Sequence, residues 1–181
     1  SKNGVHKLCY VCVINRGLSM NVFEFVFVGL QGARMPLSNY QGQPIFFVNT
    51  ASECGYTNQY QELQRIWMDY KQSGLIVIGM PCNDFGQQEP GDEDTIAEFC
   101  ETNYQISFPM TGKYNVMGVS AHPLFHAIRE EFGDDATPRW NFHKYLFDRN
   151  GQMIGNWPSA VPPDDTAITH QIECNLQSWI L

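Results

Sequence analysis

From position 20 onward the apolar residues fall into short runs separated by glycine and proline. "VFEFVFV" and "ARMPLS", parted by Gly29 and Gly32, predict a β-hairpin. "QPIFFVNT" is a continuous apolar run of the kind found in a strand buried on both faces, and "GLIVIGM" is a second. Between them Tyr60, Leu63, Trp67 and Tyr70 recur at helical spacing behind Thr57 or Asn58, either of which can cap the helix. "PCNDFGQQEPGD" is a loop punctuated by Gly and Pro, and "EDTIAEFCETNY" predicts a helix capped by Asp92 or Asp94. Residues 121–131 read as a further helix. "NFHKYLFDRNGQMIGNWP" reads as a hairpin about Asn150-Gly151, and "DDTAITHQIECNLQSWIL" as an amphipathic terminal helix.

The order hairpin, βα, βα, helix, ββ, α gives an α/β architecture, a central sheet with helices on its faces. In open sheets of this class the functional crevice lies off the carboxyl ends of the parallel strands, where Cys54 and the "PCNDFGQQEPG" loop both fall. A chain of 181 residues with 43% hydrophobic content can bury one core, so residues 20–181 are expected to form a single domain. Residues 1–19 are an N-terminal extension of unassigned role. Lys2 and Lys7 precede an apolar run from Leu8 to Ile14, in the order of a secretory signal, but no small-x-small cleavage site follows. Met20 is a candidate start. Cys9 and Cys12 form a C-x-x-C inside a run that reads as strand, which favours two buried thiols over a redox pair. No stretch approaches the roughly 18 apolar residues of a membrane span. The expected location is the cytoplasm, with targeting by the N-terminal segment left open.

Eleven Lys and Arg against 19 Asp and Glu give a formal charge of −8, which repels phosphate backbones and anionic lipid heads. Nucleic acid and stable membrane association are therefore not expected. The six cysteines, at 9, 12, 54, 82, 100 and 174, are too sparse for a disulfide-stapled scaffold and fit reduced thiols with one or two active members. The five histidines show no pair at ligand spacing, and neither a metal nor a cofactor is expected.

Cys54 stands apart, in a small-residue turn between a strand and a helix. A thiol reacts as the thiolate, which the unpaired N–H groups and positive dipole end of a helix N-terminus stabilise. Gly55 allows close backbone approach, while the charge of Glu53 opposes the anion unless its side chain faces solvent. The position three residues on is Thr57 rather than a second cysteine, so no local disulfide can form.

"NTASECGYTNQY", "PCNDFGQQEPG" and "WNFHKYLFDRNG" resemble the three signature blocks of the glutathione peroxidase family, in family order and spacing, within a resemblance running from about Met20 to the C-terminus. The resemblance implies a thioredoxin-like fold with a central mixed sheet flanked by helices and an N-terminal β-hairpin. It implies reduction of hydrogen peroxide and organic hydroperoxides, with the peroxidatic position at Cys54 and a catalytic tetrad completed by Gln88, Trp140 and Asn141. Those residue types suit the chemistry, because neutral amides and an indole N–H can stabilise a thiolate and a leaving oxygen without a bound cation. Cysteine in place of the selenocysteine of some members implies recycling through a second cysteine and thioredoxin, with glutathione as the alternative reductant. Cys100, on the helix after "QEPG", is the implied resolving residue, one position earlier than in plant-like members and as in many bacterial ones. Cys82 and Cys174 read as packed thiols and His122 as structural.

The segment "REEFGDDATPRWNF" is short where tetrameric members carry an insertion, which implies a monomer or weak dimer. Glu53, Asp84 and Glu89 make the surroundings acidic where phospholipid-acting members are basic, which points to soluble peroxides and free fatty-acid hydroperoxides. Two other classes compete. A peroxide sensor would pass the oxidation of Cys54 to a client thiol, and an inert binding module would use the scaffold alone.

Overall fold

The computed structural model of the protein describes residues 19–176. The reading of Cys9 and Cys12 as strand thiols, all of the expected 1–19 extension but Ser19, and the last five residues of the terminal helix lie outside the described residues.

A short hairpin pairs β1 (Val26–Val28) with β2 (Arg34–Pro36), antiparallel, with Phe27 opposite Met35. The main sheet holds β3 (Ile45–Thr50), β4 (Ile76–Pro81), β5 (Lys144–Phe147) and β6 (Met153–Trp157) in the order β4-β3-β5-β6. β3 runs parallel to β4 and antiparallel to β5, so the sheet is mixed, and every residue of β3 and β4 is buried. Four helices complete the element order: α1 (Gln59–Tyr70), α2 (Glu93–Tyr104), α3 (Pro123–Phe132) and α4 (Thr166–Leu176).

Because side chains alternate across a strand, β3 feeds two cores. Ile45 and Phe47 pack with Phe27, Leu124, Phe125 and Ile128, placing the hairpin and α3 on one face. Phe46 and Val48 pack with Tyr60, Leu63, Ile66, Ile96, Cys100, Ile168 and Ile172, placing α1, α2 and α4 on the other. On α1 the buried set is Tyr60, Leu63 and Ile66, with Trp67 and Tyr70 packed at the margin.

Asp92 is the residue that caps α2, its carboxylate accepting the Thr95 N–H at 2.9 Å. His122 caps α3: Nδ1 accepts the Leu124 N–H, the other ring nitrogen meets the Val26 carbonyl at 2.8 Å, and the ring stacks on Phe27. Burial pushes its pKa down, which suits the neutral ring these bonds require. That supports the structural reading of His122.

The run beginning at Val22 departs from the predicted strand. Val22–Glu24 is a 3₁₀ turn, because the Asn21 side chain accepts the Phe23 N–H and the Val22 N–H is taken by the carbonyl of Gly151. The predicted turn at Asn150-Gly151 is present between β5 and β6, held by the Asp148 carboxylate, which accepts the N–H groups of Asn150 and Gln152. All of β5 is buried, Lys144 included; its ammonium donates to the Ser159 carbonyl at 3.0 Å, and burial pushes its pKa down to about 7.

Candidate active site

Cys54 follows the carboxyl end of β3 in a turn that Thr57 closes. The Thr57 hydroxyl accepts the Cys54 N–H at 2.9 Å and donates to the Ala51 carbonyl at 2.9 Å, while the Thr57 N–H reaches the Cys54 carbonyl at 3.1 Å. Neither Thr57 nor Asn58 makes a side-chain cap bond to α1; the threonine is spent on the thiol's own turn. The Tyr56 N–H points at Cys54 Sγ at 3.3 Å, a backbone donor aimed at the sulfur. Cys54 is half-buried, and the Glu53 side chain is exposed, as the chemistry of an anionic sulfur requires.

The 82–91 loop off the end of β4 is tied to this turn, with the Glu53 N–H donating to the Gln88 carbonyl at 3.0 Å. Gly86 and Gln87 both take positive φ, 64° and 52°, and a Cβ on Gly86 would stand 3.1 Å from the Trp140 ring. A glycine is needed there so that the indole can lie against the loop, where it also meets Phe85 at 5.8 Å between centroids.

Asn49, near the end of β3, holds the third segment. Its amide nitrogen donates to the Trp140 carbonyl, its amide oxygen accepts the His143 N–H, and its own carbonyl accepts the Phe142 N–H at 2.7 Å. Phe142 is held at φ 62°, a left-handed conformation that costs a non-glycine residue on the order of 1–2 kcal/mol and is sustained here by those bonds. The fully buried Asn141 donates from Nδ2 to Gln88 Oε1 at 2.9 Å. The structure thus joins Gln88 to Asn141 directly, sets Trp140 against Gly86, and ties the Cys54 turn to the Gln88 backbone.

Cys100 is 3% exposed on α2, inside the core with Tyr60 and Phe108, and burial pushes its thiol up to about 11. Cys54, Cys82 and Cys100 are free thiols. Cys82 is fully buried, with its thiol pushed up to about 12, mainly by burial, a packed residue as expected. Cys174 is half-buried on α4 and is disulfide-bonded, not the packed thiol expected from the sequence.

The acidic surroundings read from the sequence change in three dimensions. Of Glu53, Asp84 and Glu89, only Glu53 faces solvent fully. The Asp84 carboxylate accepts the N–H groups of Val116 and Met117, and Glu89 is buried, which pushes its carboxyl up to about 7. Sequence reasoning missed the Asn49 clamp, the Thr57 hydroxyl and the burial of Glu89. For Asn49 a signal existed, a lone amide closing an apolar strand.

Comparison with known proteins places this geometry. The glutathione peroxidase family model matches residues 22–129. Among characterised sequences, the glutathione peroxidase homolog BsaA of Bacillus subtilis is 41% identical over 150 residues, covering 81% of this chain and 93% of its own. The hydroperoxy fatty acid reductase gpx1 of Synechocystis is 40% identical over 154 residues, covering 81% and 91%. The glutathione peroxidase-like peroxiredoxin gpx1 of Schizosaccharomyces pombe is 41% identical over 135 residues, covering 74% and 85%. Among solved structures, the crystal structure of Trgpx in its apo form superposes with a TM-score of 0.69 at 32% identity, covering 87% of this chain and 97% of that one. A thiol:disulfide interchange protein of Chlorobium tepidum, at 19% identity and a TM-score of 0.62, shares the thioredoxin-like fold. With a family match over more than half its length and relatives near 40% identity on either side of the Cys54 turn, the chain belongs to the glutathione peroxidase family and is a thiol peroxidase.

Proposed function

We propose that Cys54 is the peroxidatic thiol, that Gln88, Trp140 and Asn141 stabilise its reaction, and that Cys100 resolves the product for reduction by a thioredoxin-type protein. The observation that carries this reading is the Tyr56 N–H aimed at the sulfur from a turn locked by Thr57, beside the hydrogen-bonded Gln88–Asn141 pair. The Cys54 thiolate attacks the outer peroxide oxygen, the O–O bond breaks, and the leaving oxygen takes a proton, giving a sulfenic acid and an alcohol or water. Cys100 then attacks the sulfenic sulfur, an S–S bond forms, and the hydroxyl departs as water. Free Cys54 and Cys100 are the reduced starting state of that cycle.

A relative at 41% identity is named a peroxiredoxin, which supports a protein dithiol as reductant, with glutathione the alternative. Another at 40% is named a hydroperoxy fatty acid reductase, which supports free acyl hydroperoxides beside hydrogen peroxide as substrates. The short segment before Trp140 supports a monomer or weak dimer, checked by light scattering at low micromolar concentration.

Cys54→Ser is expected to abolish peroxide reduction while the circular dichroism spectrum is unchanged. Cys100→Ser is expected to keep the first oxidation and lose turnover with thioredoxin and its reductase. Near-normal turnover by Cys54→Ser would overturn the assignment. Full activity of Cys100→Ser with thioredoxin would make Cys100 a packed thiol and glutathione the better donor.

A further inference from the structure

Beneath the three catalytic segments lies a set of polar groups the mechanism above does not use. Thr50 Oγ1, Ser52 Oγ, Tyr60 OH and Glu89 Oε2 are buried side-chain atoms that meet no hydrogen-bond partner among the described residues. Such groups are rare in native interiors, because each carries a desolvation cost of about 1–3 kcal/mol. Here they are neighbours. The Glu89 carboxyl lies beside the Ser52 backbone and hydroxyl, and the Tyr60 hydroxyl lies beside Thr50 and the Cys100 thiol and feels the charge of Glu89. These contacts are close enough to act electrostatically yet complete no side-chain hydrogen bond of normal geometry, the arrangement that bridging water joins.

Glu89 is the one carboxyl in this set, and it is 1% exposed. It follows Gln88, and its N–H is fixed by the Asn83 side chain at 2.9 Å. The charged groups around it are Lys113 and Glu53, with Tyr60 and Cys100 on the side of α1 and α2. Its carboxyl, lifted by burial to about 7, can both hold and release a proton at neutral pH.

We propose that Glu89, which does not itself reach the peroxide, is a positioning residue of the first step: it stores the proton given up by Cys54 and returns it through the neighbouring buried oxygens to the leaving oxygen. The step balances as Cys54–S⁻ plus Glu89–COOH plus ROOH giving Cys54–SOH, Glu89–COO⁻ and ROH. The sulfur is oxidised, the peroxide is reduced, and the O–O bond breaks as the S–O bond forms. When reduction restores the Cys54 thiol, its proton reloads Glu89. Ser52, whose hydroxyl can both accept and donate a proton, stands two residues from Cys54 and is the buried hydroxyl of this set nearest to it in the chain.

The inference rests on Cys54 being the peroxidatic thiol, and the experiment separates the two. Glu89→Gln keeps the size and polarity of the side chain and removes the transferable proton. Cys54 oxidation is followed by stopped flow at pH 7 with hydrogen peroxide, tert-butyl hydroperoxide and peracetic acid, whose leaving acetate needs no proton. The variant is expected to slow the first two at least about 10-fold, the lower reach of general-acid effects, and to react with peracetic acid within about twofold of wild type. Equal slowing with all three oxidants would show a purely structural role and overturn the proposal, as would no slowing with any. If mass spectrometry of the wild type finds no sulfenic acid at Cys54, the peroxidatic assignment fails and this inference fails with it.

Discussion

Helix α2 offers the sharpest test of how the oxidised enzyme is resolved. Only Ile96 and Cys100 of its residues are buried, with Phe99 and Tyr104 packed at the core margin, so few side chains anchor the helix that carries the proposed resolving thiol. While the helix is packed, burial holds the Cys100 thiol near 11. A freely solvated thiol titrates near 8.5, so at pH 7 opening multiplies the reactive thiolate fraction by roughly 300. With Cys100 as the proposed resolving thiol, disulfide formation is expected to proceed through the opened helix, at a rate set by the opening constant times the chemistry. Ile96→Val removes one buried methylene and weakens the anchor by about 1 kcal/mol, which raises the opening constant about fivefold. Ile96→Ala should exceed that by a further factor of several. Stopped-flow oxidation should then show a first phase that depends on peroxide and matches the wild type, and a second, peroxide-independent phase accelerated in that order. The sign with pH follows from the same shift. The packed state retains the Cys100 proton up to about 11, whereas the opened state releases it near 8.5, so opening gains from rising pH between those values and not below them. A second phase that is unchanged or slower in both variants would refute the reasoning, since it would mean that Cys100 reacts from the packed helix.

Gln88→Ala and Trp140→Phe should each slow Cys54 oxidation by roughly 10²-fold, the scale of a single stabilising donor; rates within about threefold of wild type would remove them from the site. Gly151→Ala should destabilise the protein by about 2 kcal/mol, one part from the left-handed backbone at φ 82° and one from displacing the Asn21 cap, whose Oδ1 occupies the place a Cβ would take. In a chain of this length that lowers Tm by roughly 4–8 °C, measured by calorimetry. For stability against pH, Glu89 is neutral in both folded and unfolded states below about 4.5, while above about 7 it is ionised in both and the folded state carries a buried charge. Stability is thus lost as pH rises between these values, by up to about 3 kcal/mol, and Glu89→Gln should remove that loss in urea titrations at pH 5 and pH 8.

The alternation of strands and helices, the buried runs of β3 and β4, the Asn150-Gly151 turn and the placing of Cys54 between strand and helix were all legible in the sequence. Each depends on periodicity or turn chemistry within a few residues, and such signals survive without knowledge of the fold. The partners that complete the site were not legible, because they are far apart in the chain. Val22 forms a turn rather than a strand because Gly151 takes its N–H. Asn49 is read as the end of a strand until the Trp140–His143 segment is laid beside it. Lys144 and Glu89 are charged residues whose local sequence predicts exposure, and both are buried, Lys144 against the Ser159 carbonyl and Glu89, in the loop off β4, against Ser52 at the start of the Cys54 turn. Burial is a property of what packs over a residue, so the shifted acid beneath the candidate site exists only in the folded chain, whereas Cys54 and its turn are already written in the local sequence.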